Sequence, residues 1–239
     1  MAINARLGDG MLGKGKNANV SYMSTDKLLL EHKERLLREE GYEGIRWGTQ
    51  PSGYGGTKTI YNMRTHVSEN ATKVRDLPIE DLLQSIDEQD LVLWYLDDGS
   101  WHVRANTMHL YSNMLDAEQT QILVNRIEQL YGIAPRIRTD RKQDGRSFYY
   151  LYFQRDLVVK FRPIVRQYLV DNALSTLYYK VGGLDFVDKP VAYLNDEAVR
   201  SIRSMYDGGI SLKEIASQVN LRTDRVRNIV NRKTYANVI

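Results

Sequence analysis

The stretch Leu91-Val92-Leu93-Trp94-Tyr95-Leu96-Asp97-Asp98-Gly99 decides how this chain reads. Its unbroken apolar run suits a helix buried on every side, and Gly99 suits the C′ position that ends one. Asp98 then falls at a helix C-terminus, where the helix dipole disfavours negative charge. A cation placed there would offset that cost. Taken alone, the stretch also fits a buried helix stopped by a plain Asp-Gly turn. Asp-Gly recurs at Asp9-Gly10, Asp144-Gly145 and Asp207-Gly208, so the dipeptide means little unless one of these is its partner.

The segments that follow each copy point to Asp9-Gly10. Ala2-Ile3-Asn4-Ala5-Arg6-Leu7-Gly8-Asp9-Gly10 ends in Asp-Gly 89 residues before the second copy. Short strands are expected next, at 20–24 and 108–112. Helices follow, at about 26–40 and 116–131, stopped by Gly41 and Gly132, which lie 91 residues apart. Each half then has two strand candidates, 45–49 with 57–65 and 136–139 with 147–154. The linkers between them contain Gly53-Tyr54-Gly55-Gly56 and Asp144-Gly145. Helical sequence closes each half, at 78–87 and 156–171. At a spacing of 91, Arg35 aligns with Arg126, Tyr61 with Tyr152, Arg64 with Arg155 and Val67 with Val158. Identities are few, so the repeat rests on the order of elements. The expected fold is α+β, a pseudo-twofold domain with halves at 1–88 and 89–181, its two Asp-Gly helices meeting at the axis.

The totals bound the possibilities. A chain of 239 residues holds one to three small domains. The absence of cysteine excludes disulfides, thiolate metal sites and cysteine nucleophiles. No apolar run is long enough to cross a bilayer, and Met1 to Arg6 lacks a signal-peptide pattern. An intracellular protein is expected, in a bacterial or phage-infected cytoplasm or in an organelle. The net charge of +3 is small, but its distribution is uneven. Residues 76–98 are acidic throughout and 133–166 are mostly basic. The tail carries Arg222, Arg225, Arg227, Arg232 and Lys233. Two basic surfaces on separate elements point to a polyanion partner.

Residues 182–195 read as a linker, and 196–239 as a helical module. A helix at 196–206 ends at Asp207-Gly208-Gly209. Ser211 caps the next helix, and with Glu214 forms a capping box; Thr223 caps the last. Ile215, Ala216, Val219, Leu221, Val226 and Ile229 supply a small core. A short helix, a tight turn and a basic second helix follow the helix-turn-helix plan, with Asn228 and the basic residues around it as DNA contacts. A plain three-helix packing module is the alternative.

Leu7-Gly8-Asp9-Gly10 and Leu91 to Gly99 together resemble the two signature motifs of single-chain LAGLIDADG homing endonucleases, over about residues 1–180. The resemblance implies two αββαββα halves forming a saddle along the DNA major groove. It implies that Asp9 and Asp98 bind Mg²⁺, with Mn²⁺ as a substitute, and that the backbone carbonyls of Gly8 and Asp97 add ligands. Hard oxygen donors suit Mg²⁺, and phosphodiester hydrolysis needs such an ion. The implied reaction is cleavage of both strands of a double-stranded target with staggered 3′ overhangs, as in intron homing, by a monomer acting as a pseudo-dimer. Arg64 and Arg155 are the catalytic basic candidates by the repeat. DNA contacts are expected from Arg46, Lys58, Arg64, Arg136, Arg138, Arg141, Lys142, Arg146 and Arg155. The C-terminal module is similar to small DNA-binding domains appended to phage and intron-encoded endonucleases. Three positions depart from the family pattern: Asp97, Leu93 and Asn4 stand where small residues are usual. Tyr149, Tyr150, Tyr152 and Phe153 alternate poorly and read partly as core. Two other functions fit the pattern: a non-cleaving transcription regulator with a degenerate domain of this kind, and an intron RNA maturase. Neither a compact His-Asn-His pattern nor a His-Glu-x-x-His zinc site is present.

Overall fold

The structure, a computed structural model, describes residues 1–51, 58–103, 105–112, 114–141 (without the Arg141 side chain), 147–183, 194–235 and 238. The chain divides into two compact units, 1–186 and 187–239. Most of the linker expected at 182–195 lies outside the described residues, as do the glycine-rich stretch 53–56 and Asp144-Gly145.

The first unit repeats one order of elements. Its first half runs α1 (Ala2–Leu7), β1 (Gly10–Leu12), β2 (Ala18–Ser24), α2 (Lys27–Glu39), β3 (Arg46–Pro51), β4 (Thr59–Ser68), α3 (Glu69–Asp76) and α4 (Ile79–Ser85). The second runs α5 (Glu88–Asp98), β5 (Gly99–His102), β6 (Thr107–Tyr111), α6 (Ala117–Tyr131), β7 (Arg136–Arg141), β8 (Ser147–Phe153) and α7 (Arg155–Asp171), and then a 3-10 helix (Ser175–Val181). Each half builds a four-stranded antiparallel sheet, ordered β1-β2-β4-β3 and β5-β6-β8-β7. This is the expected α+β pseudo-twofold architecture. The sequence reading passed over β1, β5 and α3. The two strands are too short to show alternation. In α3 only Ala71 is buried, and the helix is defined by Ser68, whose hydroxyl accepts the Ala71 N–H.

Helix α5 is the shared element. Leu91 to Leu96 are all buried. Leu93 packs with the first half's core, alongside Ala5, Leu30 and Met63, while its neighbours pack with Leu110, Leu151 and Phe161 of the second. Helix α1 makes the reciprocal exchange, with Ala2 and Ala5 in the first core and Leu7 in the second. A helix between two cores has no solvent face, which explains the apolar run. Its N-terminus is closed by a reciprocal Asp87/Asp90 capping box. Its end differs from the αL cap expected of Gly99, whose φ is −86°. Glycine is required there for space, because a Cβ would overlap the Tyr95 ring and carbonyl.

The second unit is all-helical: α8 (Asp196–Asp207), α9 (Leu212–Gln218) and α10 (Thr223–Val230). Val199, Ile202, Ile215, Ala216, Val226 and Ile229 form its core. The Ser211/Glu214 capping box is present. The expected Thr223 cap is not: Arg222 occupies the N-cap without a side-chain capping bond, and Asn220 in the preceding turn takes the left-handed φ of 50° that asparagine tolerates. Buried Arg203, missed in the sequence, donates to the carbonyls of Ile229, Tyr235 and Val238 and holds the tail against α8.

Leu93→Ala is expected to cost about 2–5 kcal/mol and to lower stability for both halves in one cooperative transition. Tryptophan fluorescence checks this, because Trp47, Trp94 and Trp101 all lie in the first unit; separate melting of the halves would contradict the shared core. A second test concerns Asp90, which accepts from the buried Asn4 amide at 3.0 Å and is pushed up to about 6, first by burial and then by Asp87. Such a carboxyl binds more protons folded than unfolded, so its protonated form favours folding below pH 4 and that contribution is lost as pH rises through 6. Asp90→Asn is therefore expected to gain about 1–2 kcal/mol over wild type at pH 7 relative to pH 4, read by urea unfolding.

Candidate active site

The motif helices meet at their C-terminal ends. Gly8 follows α1 and lies against α5 so closely that a Cβ would sit 2.5 Å from Asp97 Oδ2. The Asp9 N–H donates to that same oxygen at 3.4 Å. Asp98 is the last residue of α5. The seam between the halves thus gathers Asp9, Asp97 and Asp98.

Two lysines offset these charges, and neither was picked out in the sequence. Lys33, on the inner face of α2, donates to Asp97 Oδ1 at 2.5 Å, with side-chain exposures of 2 % and 0 %. Its ammonium also lies 4.2 Å from the centre of the Tyr22 ring. Lys180, from the 3-10 helix, donates to the carbonyls of Asp97 at 3.2 Å and Gly99 at 2.6 Å. It therefore caps the negative end of α5. The Tyr95 hydroxyl holds the same segment by donating to the Lys180 carbonyl at 2.8 Å.

Electrostatics follow from this packing. Asp98 is pushed up to about 7, first by burial and then by the charges of Asp9 and Asp97. The Trp94 indole N–H, one turn earlier, offsets part of this from outside hydrogen-bond geometry. Asp9 reaches solvent, yet its carboxyl is raised by the protein packed around it and by Asp97, with Lys33 and Lys180 acting in the opposite sense. Burial lowers Lys180, against the pull of the three carboxylates.

These contacts bear on the expected ligands. Asp97 is engaged on both counts, its carboxylate by Lys33 and its carbonyl by Lys180. No group of three or more His, Cys, Asp and Glu side chains able to hold a metal occurs among the described residues. The other two carboxylates of the seam are Asp9 and Asp98. That donor set fits Mg²⁺, which commonly takes one or two carboxylates and completes its shell with water and substrate phosphate.

The basic candidates fall into separate groups. Arg64 lies on β4, donates to Asn19 Oδ1 at 3.1 Å, and lines a concavity of about 380 Å³ with Asp9, Lys14, Gln50 and Asn62. Arg155 does not mirror it. In the ladders, Gly10 pairs Tyr22 and Tyr22 pairs Met63, just as Gly99 pairs Leu110 and Leu110 pairs Leu151. The counterpart of Arg64 is therefore Tyr152, and Arg155 opens α7. The uniform spacing of 91 fails because loops of unequal length shift each element by a different amount. Arg46, Arg136 and Arg138 are exposed on their strands, and Lys58 is exposed just before β4. Arg141 ends β7, with its side chain undescribed; Lys142 and Arg146 lie outside the described residues. In the second unit, Arg222 is paired with Asp224, Arg227, Arg232 and Lys233 are exposed, and Arg225 and Asn228 are half-buried.

The Asp97–Lys33 pair takes the place of a close small-residue contact. Equal spacing from the N-caps Asp26 and Asp116 makes buried Leu123 the counterpart of Lys33, and Gly8 that of Asp97. Removing one partner strands the other charge in the core, so Asp97→Ala or Lys33→Leu alone is expected to cost about 3–5 kcal/mol. The double variant should return to within about 1–2 kcal/mol of wild type. Equilibrium urea unfolding measures this; additive losses would contradict the pairing.

Comparisons with known proteins bear on the fold and the family. The homing endonuclease I-WcaI bound to its DNA recognition sequence superposes with a TM-score of 0.56 at 17% identity, covering 76% of this chain and 84% of that one. Mesophilic variants of the homing endonuclease I-DmoI give 0.47 at 13% identity, covering 70% and 96%. Full-length DUF199/WhiA from Thermatoga maritima gives 0.42 at 12% identity, covering 97% and 89%. No curated protein sequence matches the chain. At 17% identity the likeness to I-WcaI speaks to the fold. The model of the LAGLIDADG DNA endonuclease family matches residues 7–161, and the chain accordingly belongs to that family.

Proposed function

We propose that this chain is a site-specific homing endonuclease that hydrolyses both strands of double-stranded DNA with Mg²⁺ and leaves staggered 3′ overhangs. The observation that carries this reading is the pair Asp9 and Asp98, delivered by two crossing helices to one seam between two sheets. Asp98, held at about 7 by burial and by Asp9, gains from any cation brought beside it. A divalent ion held there would supply an activated water and offset charge on the attacked phosphate.

The protein's own groups do the rest. Asp9 and Asp98 would hold the ion, with the Gly8 carbonyl as a further oxygen donor. Lys33 and Asp97 fix the end of α5 relative to Asp9. Lys180 caps the carbonyls of Asp97 and Gly99 and adds positive potential where a phosphate arrives. Arg64 shares a concavity with Asp9 and is placed to contact the DNA backbone. The exposed strand arginines Arg46, Arg136 and Arg138 track the duplex. The second unit, with basic α10 behind a capped α9, follows the helix-turn-helix plan and adds a separate DNA contact. No helix among the described residues is long and apolar enough to cross a membrane.

A non-cleaving DNA-binding protein is the competing reading. One observation favours it: Lys33 pairs with the Asp97 carboxylate, and the charge of Lys180 acts on Asp9 and Asp98.

Purified protein incubated with Mg²⁺ and duplexes selected by binding should cut both strands. Asp9→Asn and Asp98→Asn are each expected to lower the rate roughly a thousandfold, the equivalent of several kcal/mol of metal stabilisation, while leaving DNA affinity in Ca²⁺ unchanged. Unchanged cutting in both variants would contradict the site. Tight binding with no nicking by wild type in Mg²⁺ or Mn²⁺ would favour the competing reading.

A further inference from the structure

The open faces of the two sheets are built from unlike chemistry. On the second sheet, side chains alternate about β8, with Leu151 and Phe153 in the core and Tyr150 and Tyr152 on the open side. Tyr150 pairs with Tyr111 and Tyr152 with His109 across the ladder, and His102 lies beside His109 on β5. The five rings form one sheet-wide cluster. His102 and His109 centroids are 4.0 Å apart, His109 and Tyr150 5.1 Å, His109 and Tyr152 5.4 Å, and Tyr111 and Tyr150 5.6 Å. His109 at its centre is held at about 4, by burial and then by His102, so it is uncharged near neutral pH. Arg136 and Arg138 border the cluster on β7, with the Arg138 guanidinium 5.5 Å from the Tyr152 ring; Asp140 is the acid on the same strand face.

The first sheet carries different groups at the matched positions. By the ladder register, Arg64 stands where the second sheet has Tyr152, Ser21 where it has His109, and Asn62 where it has Tyr150. Guanidinium and amide groups form the two-pronged hydrogen bonds that distinguish purine edges in the major groove. A single tyrosine or histidine ring does not present that paired donor-and-acceptor geometry to a base edge. The feature of the major groove that the carbon faces and edges of such rings can recognise is the 5-methyl group of thymine.

We propose that the open face of the second sheet is a thymine-reading surface, which packs its ring cluster on the 5-methyl groups of a T-rich half-site in duplex DNA. This rests on the reading of the chain as a duplex-DNA-binding protein. Arg136 and Arg138 supply the positive border that a phosphate backbone requires. The packing of the rings against one another favours a duplex over unpaired bases. Stacking platforms leave ring faces open for a base, whereas here neighbouring rings close against each other at 4.0–5.6 Å. The two half-sites are therefore read by different physics, one by hydrogen bonding and the other by methyl contact.

The test uses the full chain in Ca²⁺. Duplexes are first selected from a randomised double-stranded library, and thymine enrichment is expected in one half of the selected site. The selected duplex is then remade with deoxyuridine for thymidine in one half at a time, which removes the methyl group and leaves base pairing intact. Deoxyuridine in the T-rich half is expected to weaken binding roughly fourfold for each contacted methyl. In the other half it should change Kd by less than about twofold. Tyr150→Ala with Tyr152→Ala should abolish the difference between the halves, while Tyr152→Phe, which keeps the ring, should preserve it. Selected duplexes with no thymine enrichment, or equal Kd values for all the remade duplexes, would overturn this inference and leave the endonuclease reading standing. Tighter binding to single-stranded DNA or RNA of the same sequence would assign the rings to stacking and overturn it as well. Selection of no duplex at all would overturn both readings.

Discussion

Three carboxylates share one seam in this protein, and the way their repulsion is relieved governs the rest. Asp97 is neutralised by Lys33 inside the core. Lys180 answers the carbonyl end of α5. Asp9 and Asp98 are left with raised proton affinities, first from burial and then from neighbouring carboxylates, Asp97 for Asp9 and Asp9 with Asp97 for Asp98. A helix bearing two acids at its negative end is poor local design, and it persists because tertiary structure supplies cations from α2 and from the segment after α7. The contact between the motif helices therefore differs from a simple packing of small residues. It is a polar joint in which Asp97 bridges Lys33 to the backbone of Asp9.

That joint makes the two halves unequal. The counterparts of Asp97 and Lys33 are Gly8 and Leu123, so the ion pair occurs on one side of the axis only. Lys180 has the same one-sided character, coming from the 3-10 helix that follows the second half alone. The open sheet faces diverge in the same way, with Arg64 and Asn62 opposite Tyr152 and Tyr150. A single chain is free to do this where a homodimer is not, because each half mutates separately. An asymmetric DNA target suits such a frame.

Much of the architecture was legible from the residues. The buried run ending in Asp98, the Asp26 and Asp116 helix starts, the Gly41 and Gly132 stops and the Ser211/Glu214 box are local signals that tertiary structure did not override. The paired acids were legible for the same reason, since each closes a recognisable motif. The basic partners were not. Lys33 reads as one of several charges on an amphipathic helix, and nothing in its spacing says it faces inward toward a residue far along the chain. Lys180 sits in a 3-10 turn with no periodic pattern. Arg155 was misplaced because a repeat that has drifted by unequal loops has no single spacing, and only the strand ladders restore the true correspondence with Tyr152. The ring cluster was hidden because Tyr149 lies on the core side of β8 and Tyr150 on the open side, which blurs the alternation into an aromatic run.

The most direct measurement is a crystal structure of the chain bound to a selected DNA duplex in Mn²⁺, with anomalous scattering used to locate the metal. The account predicts an anomalous peak about 2.1 Å from carboxylate oxygens of Asp9 and Asp98, with the Asp97 carboxylate still paired to Lys33. Absence of metal between those two acids, or a metal on Asp97 with Lys33 displaced, would contradict it.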